Sequence, residues 1–587
     1  MSLWISVPES HTVSSHSMLR VSCRIIFLVV LLLLLPAGVC AAAEYHVDNR
    51  DPGADDKGVC SAGKPCRTIT AAVQRAQAGD TVLIHEGEYR EALDLPRSGN
   101  SPDTPIRIAA AEGEKVVVKG SDRVTGWQPA GNGVWKRPGW PVNSQQVFVD
   151  GVQLAQIGAA SPFHTLVNNG HVFLPPIGDG PGDLVERSFF YDASSKTLYI
   201  RLAPGADPNA QLVEASVRPF VLIPRERSFI VLDGLEFAHS NLTSLGIYGS
   251  MVNAWGTGWL VSNCTFRQSD FSGLAVVGKE HRVERCRFLD NGNLGLTVLG
   301  TDEAHGWQPV PNRPPQDIVV ADSEFRGNNT RGFDPTWQAG GVKASMSCNG
   351  LTLHALRVED NNGPGIWIDV LSRNVVVQRS LARRNSVGVA VEIMDGALIR
   401  NNMILGNEFG IIVAASNDVF IRNNTLAGNG LGVLVQGLPR QEHNEMRRVS
   451  LRNNLFVASQ GTDIVLQENE SLGATGNTSD YNVFLRASGD PLVVLTDDAS
   501  QSPTVSGLES IRAKTGLEEN SRAAAKRLEK VLEPEALRPE PGDIALDAGT
   551  PDAAMGAVDY FGNPRSVPSA PGGKALPDAG AVEYQGG

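Results

Sequence analysis

A short apolar alternation returns again and again after a glycine in the middle of the chain. Gly273-Leu-Ala-Val-Val, Gly295-Leu-Thr-Val-Leu, Gly365-Ile-Trp-Ile-Asp, Gly388-Val-Ala-Val-Glu, Gly410-Ile-Ile-Val-Ala and Gly432-Val-Leu-Val-Gln share it, and the last four start 23, 22 and 22 residues apart. Each follows a second apolar segment and a polar turn, as in Val375-Val-Val-Gln to Asn385 or Val419-Phe-Ile-Arg to Asn429. Apolar residues recur at every second position, the period of a strand. A repeat of about 22 residues with two or three short strands and no helix cannot bury its own apolar face. Coiling the repeats, so that each strand pairs with its copy one turn later, solves this. The pattern therefore predicts an all-β fold, a right-handed parallel β-helix of roughly ten turns. Asn402, Asn424 and Asn454 fall at like positions in Arg-Asn-Asn turns and predict an asparagine ladder. The Leu-x-x-Leu-x-Leu signature of a leucine-rich solenoid is absent.

The flanking segments fit the same plan. Thr68 to Ala78 reads as an amphipathic helix with Ile69, Ala72, Val73 and Ala76 on one face. It would cover the open end of the solenoid, otherwise an exposed strand edge. Gly79 stops it, and Thr81-Val-Leu-Ile84 starts the first strand, with further strands in Ile106 to Val118. Residues 122–217 break the rhythm with short β segments between Pro and Gly turns, and predict a small inserted β-sandwich. Phe229-Ile-Val-Leu232 resumes the solenoid. The expected organisation is 44–121 for the N-terminal cap and first turns, 122–217 for the insertion, 218–485 for the main β-helix and 486–587 for an irregular C-terminal cover. Within that cover, Leu508 to Leu532 has charged helical character.

At the N-terminus, Arg20 and Arg24 precede the apolar run Ile25 to Leu35, and Ala41-Ala42-Ala43 supplies small residues for cleavage. This predicts a signal peptide over residues 1–43, with Met18 as a candidate start. The apolar core is about 11 residues, short of the ~20 that span a bilayer. The expected location is secreted, periplasmic or at the cell surface, an oxidising setting. Cys60 and Cys66 flank a five-residue loop and are expected to be bridged. Cys264 and Cys286 lie 22 residues apart at matching repeat positions and read as stacked core thiols. The net charge is −13, from 64 acidic and 51 basic residues, and no stretch concentrates Lys or Arg. That argues against nucleic acid as a partner, since phosphate binding needs a concentrated positive face.

The repeat also places side chains beside one another. In Gly365-Ile366-Trp367-Ile368-Asp369 the isoleucines point inward, so Trp367 and Asp369 point out. The same register turns Glu392 outward, four residues after Gly388. Stacked strands lie about 4.8 Å apart, so Asp369 and Glu392 are expected to be neighbours. The next copies of that position are Ala414 and Gln436, so the acidic pair is peculiar to these two turns. Lys343, in Gly341-Val342-Lys343, projects near Trp367 or Asp369. Two like charges on neighbouring strands repel, so one carboxyl should hold its proton and the other stay ionised. Lys343 favours Asp369 as the ionised member and leaves Glu392 as the proton carrier. An acid beside a carboxylate, with an aromatic platform, suits a retaining glycosidase, whose carboxyls stand about 5–5.5 Å apart. The same three charges would also serve as a salt-bridge ladder stapling three turns.

At these residues the chain resembles a known family. Gln338-Ala-Gly-Gly-Val-Lys343, Asn362-Gly-Pro-Gly-Ile-Trp-Ile-Asp369 and Glu392-Ile393 are similar to the signature blocks of β-xylosidase glycoside hydrolases built as a parallel β-helix with an inserted β-sandwich. Gln146-Val-Phe-Val-Asp-Gly and Leu198-Tyr-Ile-Arg extend the resemblance into the insertion, and it spans roughly residues 44 to 480. It implies Asp369 as nucleophile and Glu392 as acid/base, with Lys343 and Trp367 orienting the sugar. It also implies a carboxylate where Gln338 stands, so this chain departs from the family at a sugar-binding position. The implied partner is an oligo- or polysaccharide, with no cofactor. The fold hosts several activities. A polysaccharide lyase would use Lys343 as base and Asp369 with Glu392 for Ca²⁺, although a hard cation wants six to eight oxygens. A non-catalytic glycan-binding or structural surface protein would use the stacked faces alone.

Overall fold

The computed structural model describes residues 42–158, 167–168, 171–172, 177–241, 249–301, 306, 308–310, 312–438, 440, 445–467, 474–496, 505–566 and 575–585. The expected signal peptide thus falls almost wholly on residues outside the described ones.

Three long sheets wrap around one another along the chain. Among the described residues, two have 13 strands and the third has 11. The first sheet starts at Glu44–Val47 and runs through Thr81–Ile84, Ile106–Ala110 and Ile230–Asp233 to Thr478–Asp480. The second runs from Gly87–Tyr89 and Val116–Lys119 to Arg522–Ala525. The third holds the glycine repeat, from Ser250–Thr257 through Ile366–Ile368 and Val387–Glu392 to Leu492–Thr496, and closes on Val505–Ser506. Within the three sheets every pairing is parallel except that last one. This is a parallel β-helix. It is longer than the expected ten or so turns, because Glu44–Val47 adds a strand before Thr81–Ile84 and Arg522–Ala525 adds one at the far end.

The inward residues stack copy on copy. Phe237, Phe266, Phe288 and Phe325 are direct register partners, with centroid spacings of 5.4, 5.0 and 4.5 Å. Cys264, Cys286 and Cys348 are buried and free. Cys60 and Cys66 form the expected disulfide, which sits beside the first strand, where the Cys60 carbonyl accepts from the His46 N–H.

Two asparagine columns knit the turns. Asn402, Asn424, Asn454 and Asn482 pass side-chain amide bonds of 3.0–3.1 Å from Nδ2 to the next Oδ1. The column ends on Glu518, whose carboxylate accepts from Asn482 Nδ2 at 3.1 and 3.2 Å. A second, longer column joins Asn291, Asn328, Asn361, Asn385, Asn407 and Asn429 at 2.8–3.2 Å. The repeat's glycine is explained by the close approach of the next turn's backbone carbonyl. A Cβ on Gly388 would stand 2.6 Å from the Gly410 carbonyl oxygen and 3.1 Å from Asn407 Nδ2.

Two helix expectations shorten. The first helix is only Ile69–Val73, capped by the Thr68 side chain accepting from the Ala71 N–H. In the C-terminal segment the helix is Leu508–Thr515, ended by Gly516 with φ of 65°.

Between Val116–Lys119 and Ile230–Asp233, a four-stranded and a five-stranded sheet pack around Trp127, Phe189, Leu198 and Ile200. They meet the solenoid through Gln146 Nε2, which donates to the Ser240 and Gln268 carbonyls at 2.9 and 3.0 Å, and through Arg331, which donates to the Gln145 carbonyl at 2.8 Å. The outer side of the second sheet is covered by the C-terminal segment, with Leu537, Ala545 and Ala579 packed on Met403, Leu405 and Val457.

Candidate active site

Adjacent strands of the third sheet bring the site together. Lys343 pairs in register with Trp367, and Trp367 with Ala390. Ile366 and Ile368 belong to the solenoid core, whereas Trp367 packs in a separate cluster with Val387, Ala390, Phe409 and Ile412. The alternation is therefore as the period-2 pattern requires. Ile368 pairs with Val391, so the next positions along these strands are Asp369 and Glu392. Glu392 pairs with Ala414, and Ala414 with Gln436.

Each strand here ends in a left-handed residue. Val370 has φ of 37°, Leu371 58° and Ile393 54°. Left-handed φ is unfavourable for β-branched side chains and costs on the order of 1–3 kcal/mol per residue. The turns are held by bonds between copies: the Leu371 N–H donates to the Ile393 carbonyl at 2.6 Å, and the Ile393 N–H to the Ala414 carbonyl at 3.1 Å. Both carboxyls thus sit at the last outward position before a constrained bend.

Lys343 is the hub. Its Nζ lies 2.9 Å from Asp369 Oδ2 and 3.5 Å from the centre of the Trp367 ring, and it donates to the Trp337 carbonyl at 2.7 Å. Asp369 Oδ1 accepts from the Val370 N–H at 2.8 Å. Lys343, Trp367 and Asp369 are 8%, 6% and 7% exposed, so the ion pair is largely dry, where removal of one partner is costly. Trp367 Nε1–H is buried and has no acceptor among the described residues.

Glu392 stands in a different setting. Its carboxyl is ion-paired to Arg440. Burial first, and then the neighbouring charge of Asp369, push its pKa above the ordinary glutamate value, while Arg440 and Lys343 oppose that rise. Two adjacent carboxyls thus differ in environment, one tied to a buried ammonium and the other biased toward holding a proton.

Gln338 enters through its backbone. Its carbonyl accepts from Asn293 Nδ2 at 2.5 Å, and it follows Trp337, whose own carbonyl holds Lys343. Arg440 and the Trp337 carbonyl went unread in the sequence. Arg440 lies 48 residues beyond Glu392, where the 22-residue rhythm breaks, and no pattern marks it. Among the described residues, no three His, Cys, Asp or Glu side chains converge as a metal-holding group. No helix among them is long and apolar enough to cross a membrane.

The geometry defines a parallel β-helix with paired carboxyls on one outer face. Residues 246–426 match the family model for a right handed beta helix region, and the coil is right-handed. Over 69 residues the chain is 41% identical to the Uncharacterized protein YwoF of Bacillus subtilis (strain 168); this covers 12% of the chain and 14% of that protein, so the chain spans about one seventh of the length of the curated relative it matches. Among solved structures, XylC in complex with xylose is similar at a TM-score of 0.58 and 17% identity, covering 78% of this chain and 86% of that one. Pectate lyase Pel9A is similar at a TM-score of 0.41 and 14% identity, over 93% and 98%. At 17% identity the likeness to XylC is one of fold.

Proposed function

We propose that the protein is a retaining glycoside hydrolase with Asp369 as nucleophile and Glu392 as acid/base. The observation that carries this reading is the contrast between the neighbouring carboxyls: Asp369 is ion-paired to buried Lys343, and Glu392 has its pKa raised. In the first step an Asp369 oxygen attacks the anomeric carbon. The bond to the leaving oxygen breaks with its electron pair, and Glu392 delivers its proton to that oxygen. In the second step water attacks the same carbon, its proton passes to Glu392, and the bond to Asp369 breaks. XylC was solved with xylose, so β-xylosides are the first substrates to test.

The test is the stereochemistry of hydrolysis of an aryl β-glycoside, followed by proton NMR. The first-formed product should retain the β configuration. Asp369→Asn should lower kcat by at least about 10³-fold, because no glycosyl-enzyme forms. Glu392→Gln should spare substrates with good leaving groups in the first step and be rescued by azide in the second. Inversion at the anomeric carbon, or near-normal turnover by Asp369→Asn, would overturn the assignment.

A further inference from the structure

One turn of the coil departs from its neighbours, and it is the turn that carries Lys343. Elsewhere two or three residues separate a column asparagine from the glycine of the following repeat strand, as between Asn361 and Gly365, Asn385 and Gly388, Asn407 and Gly410, or Asn429 and Gly432. Between Asn328 and Gly341 there are twelve. This longer loop is tied down along its length. The Asn329 side chain accepts from the Phe333 N–H at 2.7 Å and donates to the Phe333 carbonyl at 2.9 Å. The Phe333 ring meets Phe271 edge to face at 5.3 Å. The Asp334 carbonyl accepts from the Trp337 and Gln338 N–H groups at 3.2 and 3.3 Å.

The two ends of the loop serve different neighbours. Near its start, Arg331 reaches the insertion. Its guanidinium donates to the Gln145 carbonyl at 2.8 Å and to Gln156 Oε1 at 2.7 Å, and lies 3.0 Å from the carboxylate of Asp270 on the coil. The Arg331 and Asp270 side chains are 11% and 0% exposed, so this grip is dry. Near its end, the Trp337 carbonyl accepts from Lys343 Nζ at 2.7 Å. Six residues along the chain thus run from the seam between insertion and coil to the ammonium that pairs with Asp369. The coil itself asks for no such loop, and ordering the extra residues costs backbone entropy. A carbonyl supplied by a loop is set only as firmly as the loop is, and Lys343 must stand over Trp367 and beside Asp369 at once.

Resting on the glycosidase reading for its effect on turnover, we propose that Arg331 is a positioning residue, which couples the insertion to the nucleophile by fixing the loop whose Trp337 carbonyl holds Lys343. The insertion is then part of the scaffold of the site. Its grip on the loop sets where the ammonium stands, and the ammonium sets where the Asp369 oxygen stands that must meet the anomeric carbon.

The experiment compares the wild-type chain with Arg331→Met, Arg331→Lys and Gln156→Ala. Arg331→Met removes the whole grip. Gln156→Ala removes one bond on the insertion side and strands no charge, so it keeps the test alive where Arg331→Met fails to fold. The first readout needs no turnover: reductive methylation with formaldehyde and borane, followed by peptide mass spectrometry, reports how readily each lysine ammonium is reached. Lys343 should react about tenfold faster in Arg331→Met and about threefold faster in Gln156→Ala, with Arg331→Lys between wild type and Arg331→Met. Lys119, whose side chain is 5% exposed, reports opening of the whole fold and should not change. A Lys343 rate unchanged in every folded variant, or equal acceleration of Lys119 and Lys343, would overturn the proposal.

The second readout is kinetic, on a substrate that the wild-type protein hydrolyses. Arg331→Met should lower kcat by about tenfold and leave KM within about twofold, and Arg331→Lys should recover part of kcat. In a Lys343→Met background, Arg331→Met should add less than about twofold, because its route runs through Lys343. Losses that multiply, or a rise in KM with kcat intact, would overturn that route. The two readouts separate the proposal from the glycosidase reading. Faster labelling of Lys343 in a protein that hydrolyses nothing would remove the glycosidase and keep the coupling. Hydrolysis with kcat and labelling both untouched by the Arg331 substitutions would do the reverse.

Discussion

The asparagine column at Asn385, Asn407 and Asn429 and the charged column at Lys343, Asp369 and Glu392 are built on neighbouring parts of the same coil, yet they solve opposite problems. In the first, identical neutral side chains repeat at every turn, and each amide finds its partners. Asn407 donates to Asn429 and to the Ala382 carbonyl, and its Oδ1 accepts from Asn385. In the second, no two side chains are alike, two carboxyls lie on adjacent turns, and a buried indole N–H has no acceptor among the described residues. Polar groups that obey the repeat hold the turns together. Polar groups that break it are costly to keep, and such groups collect where chemistry is done.

Breaking the hub should have the largest effect. Lys343→Met removes the counter-charge of Asp369 and the cation over Trp367 while keeping much of the side-chain volume. On a substrate established with the wild-type protein, kcat/KM should fall by about 10²–10³-fold, the range for losing one preorganised electrostatic partner. Stability should fall by about 3 kcal/mol, because Asp369 is left buried without its ion-pair partner. Steady-state kinetics and urea unfolding on the same preparation read both. If activity survives while stability drops, the three charges are only a staple between turns.

Asn407→Ala is the reciprocal experiment. It leaves the buried Asn385 N–H without its acceptor and takes one of two acceptors from Asn385 Nδ2, and should cost about 2–3 kcal/mol. Activity at a temperature where the variant is folded should stay within about twofold of wild type, since Asn407 touches none of the charged residues. A kinetic defect comparable to that of Lys343→Met would show that the two columns are one system.

The coil was legible in the sequence because its period is enforced by glycine. Only glycine lets each strand lie this close to the backbone carbonyl of the next turn, so the spacing recurs wherever that approach does. The column through Asn385, Asn407 and Asn429 went unread, although the ladder at Asn402, Asn424 and Asn454 was expected, because an asparagine in a polar turn reads first as a turn residue. The outward register of Trp367, Asp369 and Glu392 followed from period 2 alone. Arg440 did not, since its contact depends on a segment outside the repeat. The C-terminal segment shows propensity losing to pairing. Arg522-Ala-Ala-Ala525 is a sequence of strong helix formers, yet it pairs as a strand with Val483–Arg486, because that edge would otherwise be open.

The smallest effect separates the two glutamates that end these arrays. Glu392 belongs to the charged column, and Glu518 closes the asparagine column with bonds from Asn482, Ser479 and Ser521. Burial, the leading cause for both, raises each pKa above the ordinary glutamate value of 4.5. For a group raised on folding, the native state binds more protons than the unfolded chain over the interval between the two values. The stability it contributes is therefore complete below about pH 4.5 and is lost as pH rises through the folded value. Glu518→Gln should flatten that decline, seen as a change of about a degree or two in Tm between acidic and neutral buffer, and leave the pH–rate profile unchanged. Glu392→Gln should instead remove the alkaline limb of kcat/KM, because on the proposed mechanism the limb is the loss of the proton that the leaving oxygen needs. An alkaline limb that persists in Glu392→Gln would assign the proton to another group, and one that moves in Glu518→Gln would couple the site to the far end of the coil.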